Sequence, residues 1–448
     1  MFPADEHPFL EAIAANPSAD GPRLVYADFL EETGNPLDAR RAELVRLQVA
    51  LDRVPPEHSR GEELANRARE LVDAHGRDWT APLASLGAEF LFRRGIPDAV
   101  SIDAAAFLAR GEELFDNTQI RSGRSFIRRV KLRNPARVLA ALGQCPLLEQ
   151  IEELDLDGSD LGNGGANLLL KSPWLGKVKS LALGNNRLDD AGAVAVARAD
   201  TMPQLRSLAL NDNGQIGSTG AAALADSPFL AGLIELDLSG NDVNEFGLQE
   251  IVEGKAAARW QMLQLFDNPI GNGFTSFASS ELFSRLLTFH SHLDLHHCGI
   301  ESGGAEALAA SPLLPRLTRL NLSENYLGDA GVAALCRGRF ESLRTLRLAQ
   351  NQLTDASAST LLGTPMRHLE LLDISGNRLT HHGLEALKEA AKAHGFLLEA
   401  ANNGTETMMP LPPELAPRPE VDQVVDLKRG LAFPARHRPA SRAPSGAG

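Results

Sequence analysis

The stretch HSHLDLHHC (290–298) holds four histidines, an aspartate and a cysteine within nine positions. Imidazole nitrogen, carboxylate oxygen and thiolate sulfur are the ligands of divalent transition metals. Metal-assisted hydrolysis is therefore the first chemistry to weigh. The spacing opposes it. Leu293 and Leu295 alternate with His292, Asp294 and His296, the pattern of a strand with one apolar face. Alternate residues on a strand stand about 6.5–7 Å apart, so His292 and His296 would be separated by roughly 13 Å. One zinc ion, with ligand bonds near ~2 Å, cannot hold both. At matching positions, neighbouring segments offer Met262, Gln264 and Phe266 on one side and Arg319, Asn321 and Ser323 on the other, weak company for a cation. No bound metal and no cofactor are expected, and the four histidines read as surface residues of a binding face.

The order of residues also resembles the HxHxDH motif of metallo-β-lactamase-fold hydrolases, with Leu295 as an extra residue between Asp294 and His296. A hydrolase using His290, His292, Asp294 and His296 is the lesser alternative. There is no GxxxxGK[ST] loop, no HExxH and no GxSxG elbow. No catalytic residue is assigned, and the chain reads as non-enzymatic.

What positions the histidines is a repeat. From residue 151 the pattern L-x-L-x-x-N-x-L returns as LDLDGSDL, LALGNNRL, LALNDNGQI, LDLSGNDV, LQLFDNPI, LDLHHCGI, LNLSENYL, LRLAQNQL and LDISGNRL. Its Asn-type positions are Ser159, Asn186, Asn213, Asn241, Asn268, Cys298, Asn325, Asn351 and Asn377. The period is roughly 27 residues. The two leucines of LxL point to one face of a short strand. A buried Asn satisfies backbone groups where the chain turns away from that strand. A glycine often follows six residues later (Gly192, Gly247, Gly304, Gly331, Gly383), with Asp190, Ser302, Asp329 or Asp355 ahead of it as the expected helix N-cap. An Ala/Leu helix comes next, and a proline in SPWL, MPQL, SPFL, SPLL or TPMR resets the chain.

One strand and one helix per unit resembles the ribonuclease-inhibitor type of leucine-rich repeat. The resemblance implies an α/β solenoid, a horseshoe with parallel strands on the concave face and helices on the convex face. AVSID (99–103) and FIRRVKL (126–132) read as leading strands, and FLLEAANN as a closing one. The expected layout is a small helical module over 1–80, a linker and cap over 81–150, the solenoid over 151–403, and a Pro/Arg/Ala-rich disordered tail over 404–448.

In the helical module, RLVYADFLEETGNP and RAELVRLQ resemble the bacterial repeat-companion domain, a short module found beside such repeats. The matching residues are Arg23, Leu24, Tyr26, Ala27, Asp28, Leu30, Glu31, Glu32, Gly34, Arg41, Glu43, Leu47 and Gln48. Phe29 stands where that family more often has Trp. The resemblance names an architecture and no reaction. Asp28, Glu31 and Glu32 read as a solvated or ion-paired helix face rather than acid/base groups.

With the leucines inward, the intervening side chains are free to meet another molecule. The candidate partner-binding residues are Glu153, Asp155, Asp157, Glu235, Asp237, Gln264, Phe266, His292, Asp294, His296, Arg319, Asn321, Arg347 and Asp373. A formal net charge of -14 argues against long-range attraction to nucleic acid or anionic lipid. The basic stretch RSGRSFIRRVKLR (121–133) reads as a charged strand face, with Val130 and Leu132 inward. Three scattered cysteines, no secretory leader in MFPADEHPFL and no membrane-length apolar run lead to the expectation of a cytoplasmic protein. The expected function is a scaffold for a protein partner of unknown identity, in an oligomeric state the sequence leaves open. The repeat class also implies an alternative, regulation of a partner enzyme such as a GTPase or nuclease.

Overall fold

Along the first eighty residues apolar side chains recur at helical spacing, and these segments are helices. The computed structural model describes residues 6–54, 59–115 and 126–404. The tail from 405 and the first part of the basic stretch, 121–125, lie outside the described residues. The chain divides into two compact units, and the break falls between Leu132 and Arg133.

In the first unit, α1 (His7–Ala15), α2 (Gly21–Glu32), α3 (Pro36–Leu51) and α4 (Ser59–Trp79) precede β1 (Glu89–Arg93), β2 (Ile96–Asp103) and β3 (Arg129–Arg133). β1 and β2 are an antiparallel hairpin. Leu10, Ile13, Tyr26, Ala27, Leu30, Ala42, Val45 and Val49 share one core with Ile96 of β2. The helices drawn from sequence over 1–80 therefore share a core with the hairpin, and the compact unit continues to Leu132.

Six of the thirteen residues that carry the companion resemblance are buried: Arg23, Tyr26, Ala27, Leu30, Arg41 and Gln48. Tyr26 Oη donates to Glu6 at 2.6 Å, and Arg41 lies over the Tyr26 ring at 5.6 Å. Gln48 reads the hairpin turn with both ends of its amide. Its Nε2 donates to Phe92 O at 2.9 Å and its Oε1 accepts from Gly95 N at 2.7 Å. Asp28 and Glu31 are exposed and share Arg46, at 2.7 and 3.0 Å, an ion-paired face as expected.

The second unit is the repeat. Its strands are β4 (Glu153–Asp155), β5 (Ser180–Ala182), β6 (Ser207–Ala209), β7 (Glu235–Asp237), β8 (Met262–Gln264), β9 (His292–Asp294), β10 (Arg319–Asn321), β11 (Thr345–Arg347), β12 (Leu371–Asp373) and β13 (Leu397–Glu399). Neighbours pair in parallel with the central residues aligned, Leu154 to Leu181 to Leu208 and onward. A helix follows each strand from β4 to β12, for example Asp190–Ala197 and Asp355–Leu362. Parallel strands sit about 4.8 Å apart and packed helices about 8–10 Å apart, so the strand side of such a stack is the concave one. Among the described residues no helix is long and apolar enough to cross a membrane.

The buried asparagines tie coil to coil. Asn213 Nδ2 donates to Leu183 O of the preceding coil at 3.1 Å and to Leu210 O of its own at 2.8 Å. Its Oδ1 accepts from Asn186 N and Leu188 N, at 2.9 and 3.0 Å. Asn325, Asn351 and Asn377 repeat the arrangement, and Asn403 extends it past the ninth repeat. The residue before each ladder position is left-handed, from Asn185 (φ 50) through Asp212, Asp267, His297, Glu324 and Gln350 to Asn402.

The helix starts differ from the sequence reading. Asp190, Asp329 and Asp355 are not the N-caps of their own helices. Asp189 and Thr354 cap the helices Asp190–Ala197 and Asp355–Leu362. Asp190 instead accepts from Gly217 N and Gly220 N of the next coil, both at 2.8 Å. Asp329 accepts from Thr354 N and Oγ1 at 2.9 and 2.6 Å, and Asp355 does the same for Thr380. Each carboxylate pins the opening turn of the neighbouring helix, where free N–H groups and the helix dipole favour negative charge. Ser302 is likewise the first helical residue, after Glu301.

A candidate partner-binding face

Alternation along the strands sorts side chains as expected. Leu154, Leu181, Leu208, Leu236, Leu320, Leu346 and Leu372 are buried. On the other side stand Glu153 and Asp155 of β4, Glu235 and Asp237 of β7, Gln264 of β8, His292 and Asp294 of β9, Arg319 and Asn321 of β10, Arg347 of β11 and Asp373 of β12, all at least partly accessible. Asp157, Phe266 and His296 continue the same face just past their strands. The expectation fails at two inward positions: Leu263 and Leu293 are only half-buried, although Leu265 and Leu295 are 3% and 2% exposed.

The face is not wholly free of structural duty. In five coils the central residue accepts from the backbone N–H two residues on. The pairs are Asp155 with Asp157, Asp237 with Ser239, Asp294 with His296, Asn321 with Ser323 and Asp373 with Ser375, at 2.9–3.1 Å. This is an Asx-type turn that ends the strand. Burial pushes the Asp237 carboxyl above its usual range, although Ser239 donates to it through both hydroxyl and amide.

Charge is uneven along the face. The outward positions of β4 to β7 carry Glu153, Asp155, Glu235 and Asp237 and no Lys or Arg. From β9 onward histidine and arginine mix with aspartate. Leu371 and Leu397, paired in register on β12 and β13, add an apolar pair in the outer row, and Leu397 is 58% exposed. The sequence reading missed them because it took polarity as the mark of that face.

The histidines of HSHLDLHHC go to separate partners. His296 Nδ1 lies 2.9 Å from Asp294 Oδ1, and its ring stacks on Phe266 with centroids 4.7 Å apart and planes at 22°. Asn321 Nδ2 donates to the other Asp294 oxygen at 3.2 Å. His297 Nδ1 meets the Asp267 carboxylate of the preceding coil. His292 Nδ1 is 3.2 Å from Ser291 Oγ. Cys298 is fully buried, and burial pushes its thiol up to about 12. It is a protonated thiol donating to Leu265 O, at 3.5 Å, rather than a thiolate. Among the described residues no three His, Cys, Asp or Glu side chains are grouped to hold a metal. In the first unit Arg129 is committed to Asp98 at 2.6 Å. The depression of about 510 Å³ lined by Glu31, Arg40, Glu43 and Arg46 is edged by charges that pair with one another.

A family model described as Leucine Rich repeat matches residues 177–197, 201–225, 291–309, 315–336, 341–362 and 366–388. Among solved structures the chain is similar to an internalin (inlF) from Listeria monocytogenes str. 4b F2365. The identity is 15% and the TM-score 0.39, over 70% of this chain and 83% of that one. It is also similar to the chain in a TLR13–ssRNA13 complex, at 17% identity and a TM-score of 0.31, over 57% of this chain and 40% of that one. No curated protein matches it. The parallel strand ladder, the asparagines threading it and the matched coils belong together: this chain is a leucine-rich-repeat protein.

Proposed function

We propose that the chain is a non-enzymatic scaffold that holds a protein partner on the strand face of its repeats. One observation carries the reading. Inward positions are nearly uniform leucine, whereas outward positions on β4 to β12 vary among Glu, Asp, Ser, Ala, Met, Gln, His, Asn, Arg, Thr and Leu. Side chains that vary without disturbing a core are what a recognition surface needs. The acidic half, β4 to β7, favours a basic surface on the partner, and the His/Arg half a mixed one. The strand-plus-helix build of each coil supports the ribonuclease-inhibitor type of repeat.

The test compares co-purification by the full-length wild type with that by Glu235→Lys/Arg347→Glu on the strand face and by Glu250→Lys on a helix. Circular dichroism confirms that each variant is folded. Loss of a partner from the strand-face variant alone is expected. A partner retained by that variant, and lost only on removal of residues 405–448, overturns the reading. Assaying the captured partner's own activity with and without the scaffold then separates passive holding from regulation of an enzyme.

A further inference from the structure

The strand ladder through the coils stops at one place. β8 pairs with β7, and β9 with β10, but β8 and β9 belong to separate sheets. Departures from the repeat coincide there. Leu236 and Leu263 are 27 positions apart, whereas Leu263 and Leu293 are 30 apart. Trp260 and then His290 stand at the core position before the strand that Leu233 and Leu317 fill elsewhere. Cys298 replaces the ladder Asn, so coil five receives no amide oxygen of the kind Asn325 offers to Cys298 N and Ile300 N, at 3.1 and 2.8 Å. Leu263 and Leu293 are only half-buried.

Main-chain bonds resume just beyond the strands, from Asp267 N to His296 O and from Gly271 N to Cys298 O, both 2.9 Å. Beside them the Phe266–His296 stack and the Asp267–His297 contact join coil five to coil six through side chains. We propose that this seam is a pH-responsive joint in the repeat stack, held shut on its strand face by the protonated imidazole of His296 against Phe266.

The surroundings favour the proton. Asp294 of the same coil, Asp267 of coil five and Glu324 of coil seven bring negative charge to His296. Its other neighbours are the Phe266 ring, which attracts a cation, and Asn321, which reaches it through Asp294. Asp267 is the carboxylate on His297, and Arg319 is the charged residue in register with His292. Burial alone would lower the His296 value, but the three carboxylates outweigh it and raise it above 6.5. A raised folded value means the contribution is complete below the unfolded value and is lost as pH climbs through the folded one. The joint therefore loosens as pH climbs past the ordinary imidazole range. This does not rest on the scaffold reading.

Hydrogen–deuterium exchange on the full chain tests it, at about pH 6 and about pH 8.5 and corrected for intrinsic exchange. Protection of Asp267 and Gly271, whose amides cross the seam, should fall several-fold at the higher pH, while Leu238 and Leu348 hold theirs. Uniform change, or none, overturns the proposal. His296→Gln should flatten the response, and retention of the wild-type response also overturns it. Cys298→Asn, which supplies the missing ladder amide, should raise seam protection at both pH values. No gain there would sink the assignment of the joint to the broken ladder.

Discussion

Asp355 occupies the space in which a side chain on Gly383 would begin: a Cβ there would lie 2.2 Å from Asp355 Oδ1. The same holds one coil at a time elsewhere, with Asn163 against Gly192 at 2.4 Å and Asp190 against Gly220 at 2.8 Å. At Gly192 and Gly383 the glycine six residues after the ladder Asn is thus required by the neighbouring coil's polar group, whereas at Gly304 and Gly331 a Cβ would first meet Ile300 and Leu327 of the same coil, at 2.6 and 2.8 Å. Gly383→Ala should destabilise by about 1–3 kcal/mol, as overpacking does. Asp355→Ala/Gly383→Ala should recover part of that loss, giving a coupling of about 1 kcal/mol or more in a urea-unfolding double-mutant cycle.

The ladder asparagines carry more than their size implies. Asn213→Ala removes three donated and two accepted bonds from a buried site. Leaving such groups unpaired costs about 1–3 kcal/mol each before relaxation, so a loss of roughly 3 kcal/mol or more is expected in the same assay. Ser159→Ala, at the first ladder position, should cost under about 1 kcal/mol, because a single hydroxyl is lost there.

Acid should weaken the helix-side connections. Burial pushes the Asp329 carboxyl up, but bonds from Ser357 and Thr354 outweigh it and hold the group below its usual range. A depressed folded value gives stability that is present above the unfolded value and is lost as pH falls through the folded one. Thermal unfolding of Asp329→Asn should therefore differ most from wild type near neutrality, with the two converging below about pH 4.

Glu324 is exposed and left-handed, with φ 58. A side chain in that conformation costs roughly 1–2 kcal/mol, part of which glycine returns through its greater unfolded freedom. Glu324→Gly should raise stability by up to about 1 kcal/mol, read as a higher urea midpoint with unchanged slope. Gly240 and Gly376 already hold this position in other coils, at φ 64 and 66.

What was legible in the sequence is what burial repeats at fixed spacing. Leu154 and Leu156, or Asn186 and Asn213, announce themselves because every coil needs the same apolar pair and the same amide. Asp190 and Asp355 were misassigned because a carboxylate at a helix start reads the same whether it caps its own helix or the next one. That choice is made across coils, about 27 residues away. The left-handed row escaped notice because Asn185, Asp267, His297 and Gln350 share a backbone conformation and no side-chain chemistry. The seam escaped because the register was set from Leu293 and Leu295, while the disturbing residues, Trp260 and His290, sit two positions before the strands.

The ladder amides face one way along the stack and the carbonyls they seek face the other. Coils two, three and four thus expose matching upper and lower surfaces. Excising one whole coil there should rejoin equivalent halves, so the length of this molecule's face can be edited in unit steps. Coils five and six are the exception, a fixed junction that any shortened or lengthened version must keep together.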